Sequence, residues 1–149
     1  MNLANIEPLQ IVGVLLALSV GLRFAIPTEY RLDFACRGCG ITACVFGFIL
    51  MMWAWWYFWK RGTPARPAGR VSFLVTTGPF RFSRNPMYLG IVVMLLGIGL
   101  WLGTWPMLTA PVGFFVFMSL VRIPYEEQGL RDIFGEVYTS YVQRVRRWI

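Results

Sequence analysis

Apolar residues fall in four long blocks separated by polar breaks, and each block approaches the length of a membrane-spanning helix. The first runs from Leu9 to Ile26, interrupted only by Arg23, and the polar stretch Pro27-Thr28-Glu29-Tyr30-Arg31-Leu32-Asp33 follows it. The second runs from about Gly38 to Trp59 and ends in Trp53, Trp55, Trp56, Tyr57 and Trp59, an aromatic crowd of the kind found at a membrane interface. The third covers Met87 to Leu102 and the fourth Met107 to Val121, with the uncharged turn Gly103-Thr104-Trp105-Pro106 between them. A span takes roughly 20 residues. The pattern therefore predicts an all-α, polytopic membrane protein with about four transmembrane helices. So short a turn makes the third and fourth spans antiparallel neighbours.

The C-terminal segment has a different period. Leu130, Ile133, Phe134, Val137, Tyr138, Tyr141 and Val145 recur at helical spacing, with Arg131, Asp132, Glu136, Gln143, Arg144 and Arg146 between them. Pro124 suits a first helical turn, and Glu126 and Glu127 suit the positive end of a helix. This predicts an amphipathic C-terminal helix that lies on the membrane or closes a pocket beside it.

Composition agrees with a membrane chain. Of 149 residues 57% are hydrophobic and only 14% charged, and the mean hydropathy is +0.58. That is too apolar for a soluble domain of this length, and it leaves room for one domain, 1–149. The net charge of +7 fits orientation and anionic headgroups in such a protein, not nucleic acid. Lys60, Arg61, Arg66, Arg70, Arg81 and Arg84 occur with no acid among them, and prolines 64, 67 and 79 break any continuous helix there. By the positive-inside rule this loop and both termini face the cytoplasm, and the turns at 27–33 and 103–106 face outward. No cleavable signal is expected, because the N-terminus lacks a basic region and a small-residue cleavage site.

Histidine is absent, which excludes bis-His haem ligation, His-rich metal sites and any catalytic His. The cysteines are Cys36, Cys39 and Cys44. Cys36 and Cys39 make a lone C-x-x-C, readable as redox or metal chemistry but favoured as small residues for helix-on-helix packing, and no second pair completes a metal site.

Two motifs hold charge where a membrane chain should avoid it. Gly78-Pro79-Phe80-Arg81-Phe82-Ser83-Arg84-Asn85-Pro86-Met87-Tyr88-Leu89-Gly90 stands at the mouth of the third span. Arg122-Ile123-Pro124-Tyr125-Glu126-Glu127 stands at the exit of the fourth. Free N–H groups of a helix starting at Pro86 bind anions. Arg81 and Arg84 add positive charge, Phe80 and Tyr88 offer flat surfaces, and Glu126 and Glu127 offer partners for a cation or for hydroxyls. S-adenosylmethionine carries a carboxylate, a cationic centre and a heteroaromatic ring, so it is one candidate ligand. Interfacial anchoring and helix capping account for the same residues without any ligand.

The chain resembles the membrane methyltransferases that include isoprenylcysteine carboxyl methyltransferase and the phospholipid N-methyltransferases. The resemblance covers roughly residues 70–148. It rests on Leu74-Val75-Thr76-Thr77-Gly78-Pro79-Phe80, Arg84-Asn85-Pro86-Met87-Tyr88-Leu89-Gly90, Arg122-Ile123-Pro124-Tyr125-Glu126-Glu127, Phe134-Gly135-Glu136-Val137-Tyr138-Thr139-Ser140-Tyr141 and Val145-Arg146-Arg147, in that order around a two-span hairpin. It implies an enzyme with S-adenosylmethionine held on the cytoplasmic side, contacted by Ser72, Phe73, Leu74, Val75, Phe80, Asn85, Pro86, Met87, Tyr88 and Glu126. It places Arg122 on the acceptor side, one helical turn before Glu126, and names these two as the catalytic pair. The chain departs from the family pattern in having Asn85 for a usual His and Phe80 for a usual Tyr; Asn cannot become a cation. The implied acceptor is lipophilic, an isoprenylcysteine-like carboxylate first. The alternatives are N-methylation of phosphatidylethanolamine and, in another class, a non-enzymatic module that binds anionic lipid. A sterol-type reductase is disfavoured, since it needs more spans than this chain supplies.

Overall fold

The structure, a computed structural model, describes residues 6–26, 36–60 and 73–149. The polar turn at 27–33, most of the basic loop and Ser72 lie outside these residues. Among the described residues five α-helices are seen: α1 (Pro8–Ala25), α2 (Arg37–Lys60), α3 (Pro86–Leu102), α4 (Thr109–Phe117) and α5 (Ile123–Arg144). No strand occurs among the described residues. Pro8 and Pro86 open α1 and α3, where a missing N–H is harmless. Gly103 ends α3 in a left-handed conformation (φ 64°), and its N–H returns to the carbonyl of Gly99 at 3.0 Å.

The α2–α3 pair is the closest in the bundle. Gly40 and Gly47 are buried on α2, with half-buried Cys44 on the same stripe, and they face Gly90, Met94, Gly97 and Trp101 along α3. A Cβ at Gly47 would lie 2.5 Å from the carbonyl oxygen of Gly90, and one at Gly97 would lie 2.6 Å from that of Gly40. Lipid tails are as apolar as Leu, so helices in a bilayer associate through such close packing and not through hydrophobic transfer. The packing role expected of Cys36 and Cys39 therefore belongs to Gly40, Cys44 and Gly47. Cys36 and Cys39 are exposed and joined to each other in a disulfide.

On the other face of α3, Leu95 packs with Phe114, Met118 and Ile123 and with Ile11 and Val12 of α1. The hydroxyls of Ser19 and Thr109 lie 2.8 Å apart, and each also reaches a backbone carbonyl, of Leu15 and of Pro106. Paired hydroxyls satisfy in apolar surroundings what would otherwise be costly polar groups.

The fourth span and the C-terminal helix are not separate elements, as the sequence suggests. Thr109–Phe117, a π-helical segment Met118–Arg122, and Ile123–Arg144 are continuous. Pro124 has no N–H, and its ring crowds the carbonyl four residues back. The wider π turn just before it accommodates both defects without breaking the axis. The break comes later, at Gly135 (φ 51°, ψ −120°), a conformation natural only to glycine. Tyr138, Tyr141 and Val145 are buried with Leu130 and Phe134 against them, but Ile133 and Val137 are exposed.

Candidate functional site

Tyr88, Arg122 and Glu126 converge at one end of the bundle. Tyr88 lies in the first turn of α3, Arg122 ends the π segment, and Glu126 lies one turn into α5. The Tyr88 hydroxyl donates to Glu126 Oε1 at 2.8 Å, and Arg122 Nε donates to the same oxygen at 2.6 Å. The Arg122 and Glu126 side chains are only 12% and 13% exposed. Arg122 also donates through a terminal nitrogen to the carbonyl of Ile6 at 3.4 Å, which ties the site to the start of α1. Phe114 meets the Tyr88 ring edge-on, with centroids 6.4 Å apart. Burial makes a charge costly, and the i, i+4 ion pair with a phenol on the shared oxygen offsets that cost. Both donors converge on Oε1, and Oε2 has no partner among the described residues. The N–H groups of Met87 and Tyr88, in the first turn of α3, are the orphan donors of a helix start.

Glu127 belongs to a second network. It is buried, and it lies 2.9 Å from Arg84 and 2.8 Å from Arg147. Arg147 donates to both of its carboxylate oxygens and also to the carbonyl of Ser119. Trp148 Nε1 donates to the Ser119 hydroxyl, and its ring lies against Phe115. The extended end of the chain thus straps the mouth of α3. Arg84 N–H donates to Arg146 O at 3.0 Å, and Asn85 Nδ2 donates to Arg147 O at 3.1 Å. The Ser83 hydroxyl accepts from the Asn85 N–H at 3.1 Å and donates to Arg147 O at 3.4 Å. Sequence reasoning missed this strap. Arg147 was visible as a charge, but its binding through a backbone carbonyl leaves no mark in the sequence.

The expected cofactor contacts separate accordingly. Tyr88 and Glu126 meet directly. Pro86 is buried and Met87 half-buried at the same mouth, Met87 beside Phe80. Asn85 faces the strap. Phe80 and Val75 are buried in a cluster with Ala54; the Phe80 ring meets Phe58 edge-on at 5.1 Å, and its carbonyl accepts from Tyr141 at 2.7 Å. Leu74 packs against Tyr138 and Tyr141, and Phe73 is exposed. Ser72 lies outside the described residues. One electrostatic expectation changes: Arg84 and Glu127 neutralise each other and offer little to an external ligand, whereas Arg81 is exposed.

The chain is similar to protein-S-isoprenylcysteine O-methyltransferase B of Arabidopsis thaliana, 38% identical over 78 residues that cover 48% of this chain and 36% of the relative. A probable protein-S-isoprenylcysteine O-methyltransferase of Oryza sativa subsp. indica is 36% identical over 78 residues, 48% of this chain and 38% of the relative. An uncharacterized protein of Haemophilus influenzae is 36% identical over 63 residues, its whole length and 42% of this chain. The chain spans little more than a third of the length of the plant relatives. The sequence model of the phospholipid methyltransferase family matches residues 36–137, which include α2, α3, α4 and the site residues Tyr88, Arg122 and Glu126. A match of that extent, over a bundle of apolar helices, shows that this chain belongs to the phospholipid methyltransferase family.

Proposed function

We propose that the chain is an integral membrane methyltransferase that uses S-adenosylmethionine and methylates a lipophilic acceptor, an isoprenylcysteine-like carboxylate first. The Tyr88–Glu126–Arg122 cluster carries this reading, with the family match and the plant relatives named as isoprenylcysteine O-methyltransferases beside it. The donor set suits the cofactor. Glu126 Oε2 can accept from an ammonium or a ribose hydroxyl, and the Met87 and Tyr88 N–H groups can donate to a carboxylate. Bound there, the cofactor would supply an electrophilic methyl on a sulfonium.

The protein's part is positioning. Glu126 is held at a fixed angle by Tyr88 and Arg122. In this reading the Arg122 guanidinium grips an acceptor carboxylate through parallel N–H bonds. A carboxylate needs no base at neutral pH, which suits a site without histidine. An acceptor with a long apolar tail would approach sideways between lipid-facing helices. N-methylation of phosphatidylethanolamine stays as the second reading, because the matching family is named for phospholipids.

Two measurements test the proposal. Calorimetry of the detergent-purified protein should show binding of S-adenosylmethionine and its demethylated product. Labelled methyl should then pass to an isoprenylcysteine carboxylate in proteoliposomes, less to phosphatidylethanolamine, and far less to a tail-less cysteine analogue. Absence of cofactor binding would leave an anionic-lipid module as the better account.

A further inference from the structure

Cys36 and Cys39 stand at the far end of the bundle from Glu126. They open α2, whose other end, Lys60, is near the mouth of α3; Gly40, one residue past Cys39, packs against Trp101 at the close of α3. The two cysteines span one helical turn, with Cα atoms 5.1 Å apart, and are joined as a disulfide. Both are exposed.

We propose that Cys36 and Cys39 form a thiol–disulfide exchange site, open to an external dithiol at the membrane face opposite Glu126. This is independent of the methyl-transfer reading. Three observations carry it. First, Cys36 immediately precedes α2, where free N–H groups favour a thiolate; Cys39 N–H donates to Cys36 Sγ at 3.2 Å. Second, among the described residues the first turn of α2 contains no acid, and Arg37 adjoins Cys36. Third, a staple is a poor explanation. A bridge across four residues of one helical turn restricts the unfolded chain little, and Cys36 O already accepts the Gly40 N–H at 2.8 Å.

In the exchange, one thiolate of the external dithiol attacks Cys39 Sγ. The Cys36–Cys39 bond breaks, a mixed disulfide forms, and Cys36 leaves as a thiolate stabilised at the helix start. The second external thiolate then attacks its own partner sulfur in the mixed disulfide, which releases Cys39. The pair gains two electrons and two protons, and the external dithiol loses them to become a disulfide. The reverse sequence reoxidises the pair.

The test uses the whole protein in detergent. It is equilibrated in buffers of graded reduced-to-oxidised dithiothreitol and, separately, glutathione, quenched with acid, and labelled with a polymer maleimide under denaturing conditions. Cys44 gives one adduct at every ratio. The proposal expects a joint step from one adduct to three across the ratios, lost in both Cys36→Ser and Cys39→Ser. It also expects the lone Cys36 of folded Cys39→Ser to react with iodoacetamide at neutral pH at least tenfold faster than the lone Cys39 of Cys36→Ser. One adduct at all ratios would mark a fixed staple, and three at all ratios would mark unpaired thiols. Either result, or equal alkylation rates, overturns the proposal.

Discussion

Glu126 and Glu127 are adjacent in the chain and serve different networks: Glu126 accepts from Tyr88 and Arg122, and Glu127 is clamped by Arg84 and Arg147. Adjacent helical residues point about 100° apart, so one step along α5 separates a carboxylate with a spare oxygen from one whose two oxygens are taken. The two should fail in different ways. Glu126→Gln should weaken S-adenosylmethionine binding by about 1.5–3 kcal/mol, the usual worth of a charged hydrogen bond, and, because Arg122 loses its counter-charge, should also lower the unfolding temperature. Glu127→Gln leaves Arg84 buried without a counter-charge and should destabilise the fold by about 3 kcal/mol. Calorimetry and thermal unfolding of both variants check this; equal cofactor affinity in folded Glu126→Gln would remove Glu126 from the cofactor site.

Arg122→Lys keeps the charge but loses the planar fork. Methyl transfer should fall by tenfold or more, equivalent to about 1.4 kcal/mol of transition-state stabilisation, while cofactor affinity stays within a few fold. Single-turnover transfer and binding on the same preparation separate the two. Lost cofactor binding would move Arg122 to the cofactor side.

The absence of histidine makes the pH profile a test of the acceptor. A carboxylate acceptor is ionised throughout pH 6–8, and no side chain of ordinary pKa titrates there. The transfer rate should be flat across that window for a carboxylate. A rate that climbs close to tenfold per pH unit would signal an amine that must first lose a proton, and would favour phospholipid N-methylation.

At the α2–α3 seam, Gly47→Ala should destabilise by about 1–3 kcal/mol, because overpacking forces a backbone shift where the added Cβ would meet the Gly90 carbonyl at 2.5 Å. Gly38→Ala, which meets nothing within 4 Å, is the control and should be neutral or slightly stabilising. Thermal unfolding in detergent measures both.

For orientation, a reporter active only outside the cytoplasm should give signal when fused at Thr104 and none at Arg66. The reverse pattern would invert the proposed arrangement.

The four apolar blocks were legible because twenty-residue hydropathy is a strong, local signal: α1, α2 and α3 begin and end within two residues of the blocks that predict them. The i, i+4 meeting of Arg122 and Glu126 was legible for the same reason, since one helix dictates it. What escaped depends on distant chain. The strap from Val145 to Trp148 holds Asn85 through a carbonyl, which every residue possesses. The continuity through Pro124 escaped because proline reads as a boundary, and a π turn has no compositional sign. The exposure of Ile133 and Val137 escaped because both flank the packed row of Leu130, Phe134, Tyr138 and Tyr141, and a 3.6-residue period does not tell the flank of a stripe from its centre.

The π turn has one mechanical consequence. Up to Gly135 the fourth span and the segment bearing Arg122 and Glu126 form a single rod, with no hinge between the lipid-embedded part and the site. A span adjusts to bilayer thickness chiefly by tilting, and a rod that tilts carries its far end with it. Tyr88 rides on a different helix. The Tyr88–Glu126 hydrogen bond is therefore the joint at which the thickness of the surrounding bilayer would be felt by the site.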